Sequence, residues 1–341
     1  MNKKSKSNLT EELFFSELDR LVIEKTLDER YQKIVKGFYQ NYKKATAHSS
    51  NSKDYLQVFY TFAQLIEKQQ KHPYVFANYH QKIRKPFDYY QFGIDFMRLL
   101  VDLDASKVTG LEELEKMQRQ LANGENVILL GNHQTESDPQ LTSILLENTF
   151  PKLAENIIFV AGERVITDPL AIPFSLGCDL LCIYSKKYID LFPDLKRERL
   201  LHNQKTMKTM SDLLKEGGKI IYVAPSGGRD RRNKDGKVEV AKFDAASIEM
   251  FYLMAKKAKT PTHFYPYTLV TYEVLPPPET TQKELGEKRE TNYSPIYADF
   301  GKELDMQHFP GCDIKNKLQN REKRAEFIWS LVKEKYNSLT K

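Results

Sequence analysis

The sequence predicts an α/β protein, with a small N-terminal helical bundle ahead of a larger domain built on a parallel or mixed sheet. Three observations predict it. Over the first ~75 residues apolar side chains recur at helical spacing, and glycine occurs once, at Gly37. From Asn126 onward short apolar runs alternate with longer amphipathic stretches, the signature of an α/β fold. Hydrophobic residues make up 40% of the 341-residue chain, enough to build a sizeable core, while 29% are charged. The expected division is residues 1–75 as helical bundle and residues 76–341 as α/β domain.

In the N-terminal part, Phe14, Leu18, Leu21 and Val22 fall on one helical face, as do Tyr55, Val58, Phe59, Phe62, Leu65 and Ile66. Between them "AHSSNSKD" reads as a loop ending in a helix cap. Aromatic residues crowd in from about Val75. "NVILLG" then reads as a strand and "SDPQLTSILLENTF" as a helix, with Asp138 near its cap and Pro139 in its first turn. "NIIFVAG" and "DLLCIY" read as strands. "RERLLHNQKTMKTMSDLLKEGG" reads as a helix stopped by glycine. "KIIYVAPSGGR" is a strand running into a glycine turn, "SIEMFYLMAKKAK" a helix and "THFYPYTLVTYEVL" a strand. "PPPETTQKELGEKRET" is a polar loop, and "REKRAEFIWSLVKEKY" a final amphipathic helix. No internal repeat is present.

Composition excludes several function classes. Lys plus Arg is 52 against 46 Asp plus Glu, a net charge of +6, mild enough to suit an anionic partner without implying nucleic acid. Three cysteines, Cys178, Cys182 and Cys312, argue against a disulfide scaffold and for a reducing compartment. Cys178 and Cys182 are expected to be inert core thiols. "MNKKSKSNLTEEL" has no apolar stretch behind its basic start and turns acidic, so it is neither a secretory signal nor an evident transit peptide. The most apolar window, "LAIPFSLGCDLLCIY", falls short of the ~20 residues of a membrane helix. The expectation is a cytoplasmic protein with at most peripheral membrane contact.

Three clusters carry candidate chemistry, each just beyond an apolar strand, where α/β sheets bind ligands. The first is "NHQTESDP". On one helix His133 and Asp138 would stand ~140° apart and could not face each other. If "HQTES" forms a turn, the carboxylate can orient the imidazole and leave one ring nitrogen as a base. His308 and Asp313 repeat the spacing, but in a Pro-Gly turn with no strand before it, and read as coincidence. The second cluster is "YVAPSGGRDRR". Glycines there permit close backbone approach, and the alternating Arg229 and Arg231 suit a phosphate or carboxylate. Lys186 and Lys187 in "IYSKKYID" form the third. A base beside gathered cations points to a small anionic substrate with a hydroxyl to deprotonate.

Longer blocks add a resemblance. "NHQTESDP", "FVAGERVITDPLAIPFSLGCDLLCIYSKKYI" and "APSGGRDR", extended by "IRKPFDYYQFG", "FDAAS" and "PPP…GEKR", resemble the motif blocks of soluble, plastid-type glycerol-3-phosphate 1-O-acyltransferases. The resemblance runs from His72 to Arg289. It implies an N-terminal four-helix bundle and a mixed sheet. It also implies transfer of a fatty acyl chain from acyl carrier protein or coenzyme A to the sn-1 hydroxyl of glycerol 3-phosphate. By position His133 and Asp138 match the catalytic pair, and Lys187, Arg229 and Arg231 match phosphate-binding residues. The plant pattern has histidine where this chain has Tyr188, and a phenol cannot carry positive charge near neutral pH. Because a thioester is already activated, no cofactor or metal is expected. The rival readings are an acyltransferase acting on 1-acylglycerol 3-phosphate and, from another class, a basic RNA-binding protein. The expected partners include no nucleic acid, since the RNA-binding signature of glycine-aromatic boxes is missing. The cations and aromatics of "HQKIRKPFDYYQFG" read either as a segment joining the two units, with core aromatics and solvated charges, or as a docking face for an acidic acyl carrier protein.

Overall fold

The computed structural model describes residues 9–47, 55–184, 189, 193–278, 289–312 and 316–341. It opens with three helices, α1 (Glu11–Ile23), α2 (Glu29–Thr46) and α3 (Tyr55–Lys71). Thr10 and Asp28 cap the first two, their side chains accepting the N–H groups of Leu13 and Arg30. Phe14, Leu18 and Leu21 of α1 and Phe59, Phe62 and Ile66 of α3 are fully buried, as their spacing predicts. Most of the expected loop between α2 and α3 lies outside the described residues.

A two-residue strand β1 (Tyr79–His80) follows, then α4 (Tyr89–Arg98), β2 (Lys107–Thr109) and α5 (Leu111–Ala122). The apolar contacts of the N-terminal helices do not stop at α3. Phe38, Phe59 and Phe62 meet Phe96 of α4, and the Tyr42 hydroxyl donates to the Phe96 carbonyl.

Next come β3 (Asn126–Gly131), α6 (Asp138–Leu146), α7 (Pro151–Glu155), β4 (Ile157–Gly162), α8 (Glu163–Thr167), α9 (Ile172–Ser175) and β5 (Asp179–Ile183). A 3₁₀ turn (Pro193–Leu195) leads into α10 (Lys196–Glu216), which ends at Gly217. Strand β6 (Ile220–Val223), a small hairpin of β7 (Arg231–Arg232) and β8 (Val238–Glu239), α11 (Ala245–Ala258), β9 (Thr262–Val270), β10 (Tyr297–Phe300) and α12 (Lys317–Leu339) complete the chain.

The main sheet has the order β1-β5-β4-β6-β3-β9-β10-β2. Its five central strands run parallel, while β1 is antiparallel to β5 and β10 antiparallel to β9, so the sheet is mixed. The apolar runs follow from burial on both faces. In β3, Val127 and Leu129 join the core shared with α1–α6, while Ile128 and Leu130 join the core under α10–α12. In β6, Ile220 and Tyr222 face the first core, and Ile221 and Val223 the second.

Register places the site. Leu130 at the end of β3 lies opposite Val223 at the end of β6, and Gly162 of β4 opposite Ile183 of β5. The chain therefore leaves β3, β5 and β6 along one edge. At that edge Gly131 is forced, since a Cβ there would stand 2.5 Å from the Tyr267 carbonyl oxygen of β9.

The proposed docking segment is engaged within the chain. Lys82 Nζ lies 2.8 Å from Asp179 Oδ2, and Arg84 pairs with Asp88 and Glu155 while lying over the Tyr90 ring. His80 is buried. Lys82 and Arg84 are thus matched by carboxylates of this chain, while Lys85 is exposed.

Candidate active site

Beyond Gly131 the chain leaves the strand and turns at Glu136 and Ser137 before entering α6 at Asp138. This turn brings His133 and Asp138 together, with Nδ1 and Oδ2 2.7 Å apart. The turn builds itself from local bonds. Thr135 Oγ1 accepts the N–H of Ser137 at 2.9 Å and meets its hydroxyl at 2.6 Å. Pro139 in the first helical turn gives up no needed donor.

Both Asp138 oxygens are used as acceptors. Oδ2 takes His133 Nδ1 and the Gln134 N–H, while Oδ1 takes the Thr135 N–H and the Thr271 hydroxyl at 2.7 Å. A carboxylate ringed by four donors holds one orientation and sets the imidazole tautomer: Nδ1 carries the hydrogen and Nε2 is left as acceptor. The Asp138 side chain is 1% exposed and that of His133 30%, so a substrate can reach the ring but not the carboxylate.

The loop after β6 comes to the same place. Gly227 takes φ +63°, a left-handed conformation open to glycine at no steric cost, and the backbone N–H of Asp230 donates to the His133 carbonyl oxygen at 2.7 Å. Arg229 and Arg231 flank the buried Asp230 and are both partly exposed. Arg229 stands near enough to Glu136 to help lower its pKa. Arg232 turns outward to Glu273 at 2.5 Å and lies over the Tyr272 ring. Lys186, Lys187 and Tyr188 follow β5, whose end lies on this edge, but all three fall outside the described residues.

Several residues at the site were not singled out in the sequence. Arg289 is buried and bonds Glu136 at 2.6 Å and Asp168 at 3.4 Å. Burial pushes the Glu136 carboxyl up, but the charge and hydrogen bond of Arg289 outweigh it and hold the group below its ordinary value. Burial pulls Arg289 down, yet Glu136 and Asp168 together hold it above the usual arginine value. Tyr222 of β6 donates to the Asn132 carbonyl at 2.6 Å, and burial pushes its phenol well up. The signal for Arg289 was its place in "GEKR"; Thr271, one residue past β9 and inside the longer strand expected from the sequence, offered none.

The second His-Asp spacing has no such setting. His308 is exposed and bonds Asp305 at 3.0 Å; Asp313 lies outside the described residues. Cys178 and Cys182 are buried free thiols, and burial raises both to about 12. Among the described residues no group of three histidine, cysteine or acidic side chains is gathered to hold a metal ion, and no helix is long and apolar enough to cross a membrane.

Comparison with known proteins gives the setting. An Acyltransferase family model matches residues 105–270, which contain both His133 and Asp138 and the two arginines. The chloroplastic glycerol-3-phosphate acyltransferase ATS12 of Cucurbita moschata is 37% identical over 305 residues, 88% of this chain and 66% of the relative. ATS11 of the same plant is 36% identical, over 88% and 68% respectively. The chloroplastic enzyme of Spinacia oleracea is 40% identical over 78% and 57%. The chain thus spans about two thirds of the length of the first relatives. These relatives overturn the expected cytoplasmic location, because each is named chloroplastic. The reasoning failed for a physical reason: cysteine usage separates reducing from oxidising compartments, not one reducing compartment from another, and a targeting segment is an address independent of the fold. With 36% identity across a relative of which it covers 68%, the chain belongs to the glycerol-3-phosphate acyltransferase family.

Proposed function

We propose that this protein transfers a fatty acyl chain from an acyl carrier protein or coenzyme A thioester to the sn-1 hydroxyl of glycerol 3-phosphate, giving 1-acyl-sn-glycerol 3-phosphate. The observation that carries the reading is the His133–Asp138 bond, with its open Nε2, beside the segment that carries Arg229 and Arg231. In this reading Arg229 and Arg231, with Lys187, hold the phosphate. His133 Nε2 accepts the hydroxyl proton as the oxygen attacks the thioester carbon. The carbonyl π-pair moves to oxygen, giving a tetrahedral adduct. Asp138 keeps the ring oriented and stabilises the imidazolium. As the adduct collapses, the C–S bond breaks and the Nε2 proton passes to the departing thiolate. No protein nucleophile is needed, so the acyl group moves directly between bound substrates. The relatives' chloroplast assignment supports a plastid as the compartment.

The test is direct. The full chain is incubated with glycerol 3-phosphate and each labelled thioester, and the products are separated by position. The expected product is acylated at sn-1. Acylation of 1-acylglycerol 3-phosphate instead would favour the rival acyltransferase. No acyl transfer from either donor would overturn the reading.

A further inference from the structure

Asp230 sits between the two arginines, and unlike them it is wholly buried, at 0% exposed. Its carboxylate accepts Asn132 Nδ2 at 2.8 Å, Gln134 Nε2 at 3.1 Å and the Ala241 N–H at 2.9 Å. Its own N–H donates to the His133 carbonyl at 2.7 Å. One residue therefore grips His133 and the neighbours on both sides of it.

The two amides cannot turn around. Asn132 Oδ1 already accepts the Leu269 N–H at 2.8 Å. Gln134 Oε1 accepts the N–H groups of Thr271 and Tyr272 at 2.6 and 2.9 Å. With both oxygens held by the end of β9 and the chain just beyond it, both NH₂ groups must face Asp230. The site thus presents donors alone and requires a group that only accepts.

We infer that Asp230 is a positioning residue for the acyl-transfer reaction: through Asn132, Gln134 and the His133 carbonyl it fixes the imidazole relative to Arg229 and Arg231. The inference rests on the function proposed above. It adds a residue whose buried side chain acts through the geometry of others. Burial pushes its carboxyl up to about 6, against the pull of the three donors. The fold therefore keeps a carboxylate where burial disfavours it, as a functional demand would require. The other groups facing it are His133 from the loop after β3, Tyr222 from β6 and Tyr336 from α12.

The test uses Asp230→Asn, which keeps the shape but turns one NH₂ against a fixed donor. If the base is displaced, kcat should fall by roughly 10–100-fold, on the order of one charge-assisted hydrogen bond. The discriminating measurement is a cycle with His133→Ala. Positioning through His133 means that Asp230→Asn costs little further kcat once the imidazole is gone, whereas general damage to the fold costs the same in both backgrounds. A second readout needs no turnover: the Nδ1 proton of ¹⁵N-labelled His133 should shift and broaden in Asp230→Asn. If that variant does not fold, Gln134→Ala removes a single link and should give the same pattern at smaller size. A kcat within about twofold of wild type, or equal losses with and without His133, overturns the inference. Wild-type protein that transfers no acyl chain would instead sink the proposed function, and the unchanged or changed His133 signal would still judge the positioning.

Discussion

The two nitrogens of His133 face different demands. Nδ1 is tied to Asp138, whose other three donors come from Gln134, Thr135 and Thr271. Replacing His133 with alanine should cost about 10²–10⁴-fold in kcat, the usual worth of a general base, while circular dichroism stays unchanged. His308→Ala is the control, since its ring is exposed and bonded to Asp305; it should leave the rate as it was. Assays of the two variants side by side check the assignment, and equal losses would defeat it. The arginines act on binding. Arg229→Ala or Arg231→Ala should each raise KM for glycerol 3-phosphate by roughly 10–100-fold, the worth of a charge-assisted contact at about 1.5–3 kcal/mol. Initial rates against glycerol 3-phosphate concentration measure this, and a loss confined to kcat would contradict it.

Strand β3 carries the base, and its end is shaped by one missing atom. A Cβ at Gly131 would meet the Tyr267 carbonyl oxygen at 2.5 Å and the Tyr222 ring at 3.0 Å. Gly131→Ala should force β3 and β9 apart and destabilise the fold by about 1–3 kcal/mol, the usual cost of overpacking. Urea unfolding measures it, and an unchanged midpoint would show that the edge is softer than the geometry implies. Which elements the sequence made legible follows from the same packing. Strands buried on both faces, such as β3, β4 and β6, stand out as apolar runs, and helices α6, α10, α11 and α12 are long enough to show, α6 by Pro139 in its first turn and α10 by the glycine that ends it. The short strands β1, β2 and β10 offer too few residues for a pattern. Helix α4, "YYQFGIDFMR", turns only a narrow stripe of Gln91, Asp95 and Arg98 outward, short among so many aromatic residues. In α5, Leu114, Met117 and Leu121 keep helical spacing within an otherwise charged and polar stretch. The His133–Asp138 pair was legible because its parts lie five residues apart. Thr271 and Arg289 were not, because their partners are 133 and 153 residues away. Folding alone joins them.

At the scale of the molecule, the sheet has one core on each face, and the N-terminal helices share theirs with α4 and the sheet. Phe174 of α9 stands against both Phe62 and Phe96, ring centroids 5.5 and 5.0 Å apart. Such continuity means that the two expected units should unfold together. Fluorescence of Trp329, the single tryptophan, reports the far core from α12, while far-ultraviolet dichroism reports the helices. The two unfolding curves should coincide. Separate midpoints would show that residues 1–75 form an independent unit. Acid should act on the site in two senses. The Asp230 carboxyl is raised to about 6, so the folded protein takes up that proton first. Its buried charge costs stability at neutral pH, and the cost fades as pH falls from about 6 to about 4. Glu136 is lowered, so its contribution is present above its ordinary pKa and is lost as pH falls through the lower folded value. Stability measured from pH 7 to 4 should therefore carry a favourable contribution on acidification that Asp230→Asn lacks. Parallel curves for the two proteins would contradict the assignment.

The hydrogen bond from the Asp230 N–H to the His133 carbonyl ties the segment of the cations to the loop of the base across 2.7 Å. On the proposed reading this makes the site a ruler. The span from phosphate to reacting hydroxyl is set by the protein before any ligand arrives, and a polyol phosphate is measured against it. A two-carbon alcohol phosphate should fall short of Nε2, and a four-carbon one should carry its terminal hydroxyl past it. Both should bind as competitive inhibitors and yet accept acyl groups poorly, because only a backbone of matching length puts oxygen within reach of the ring.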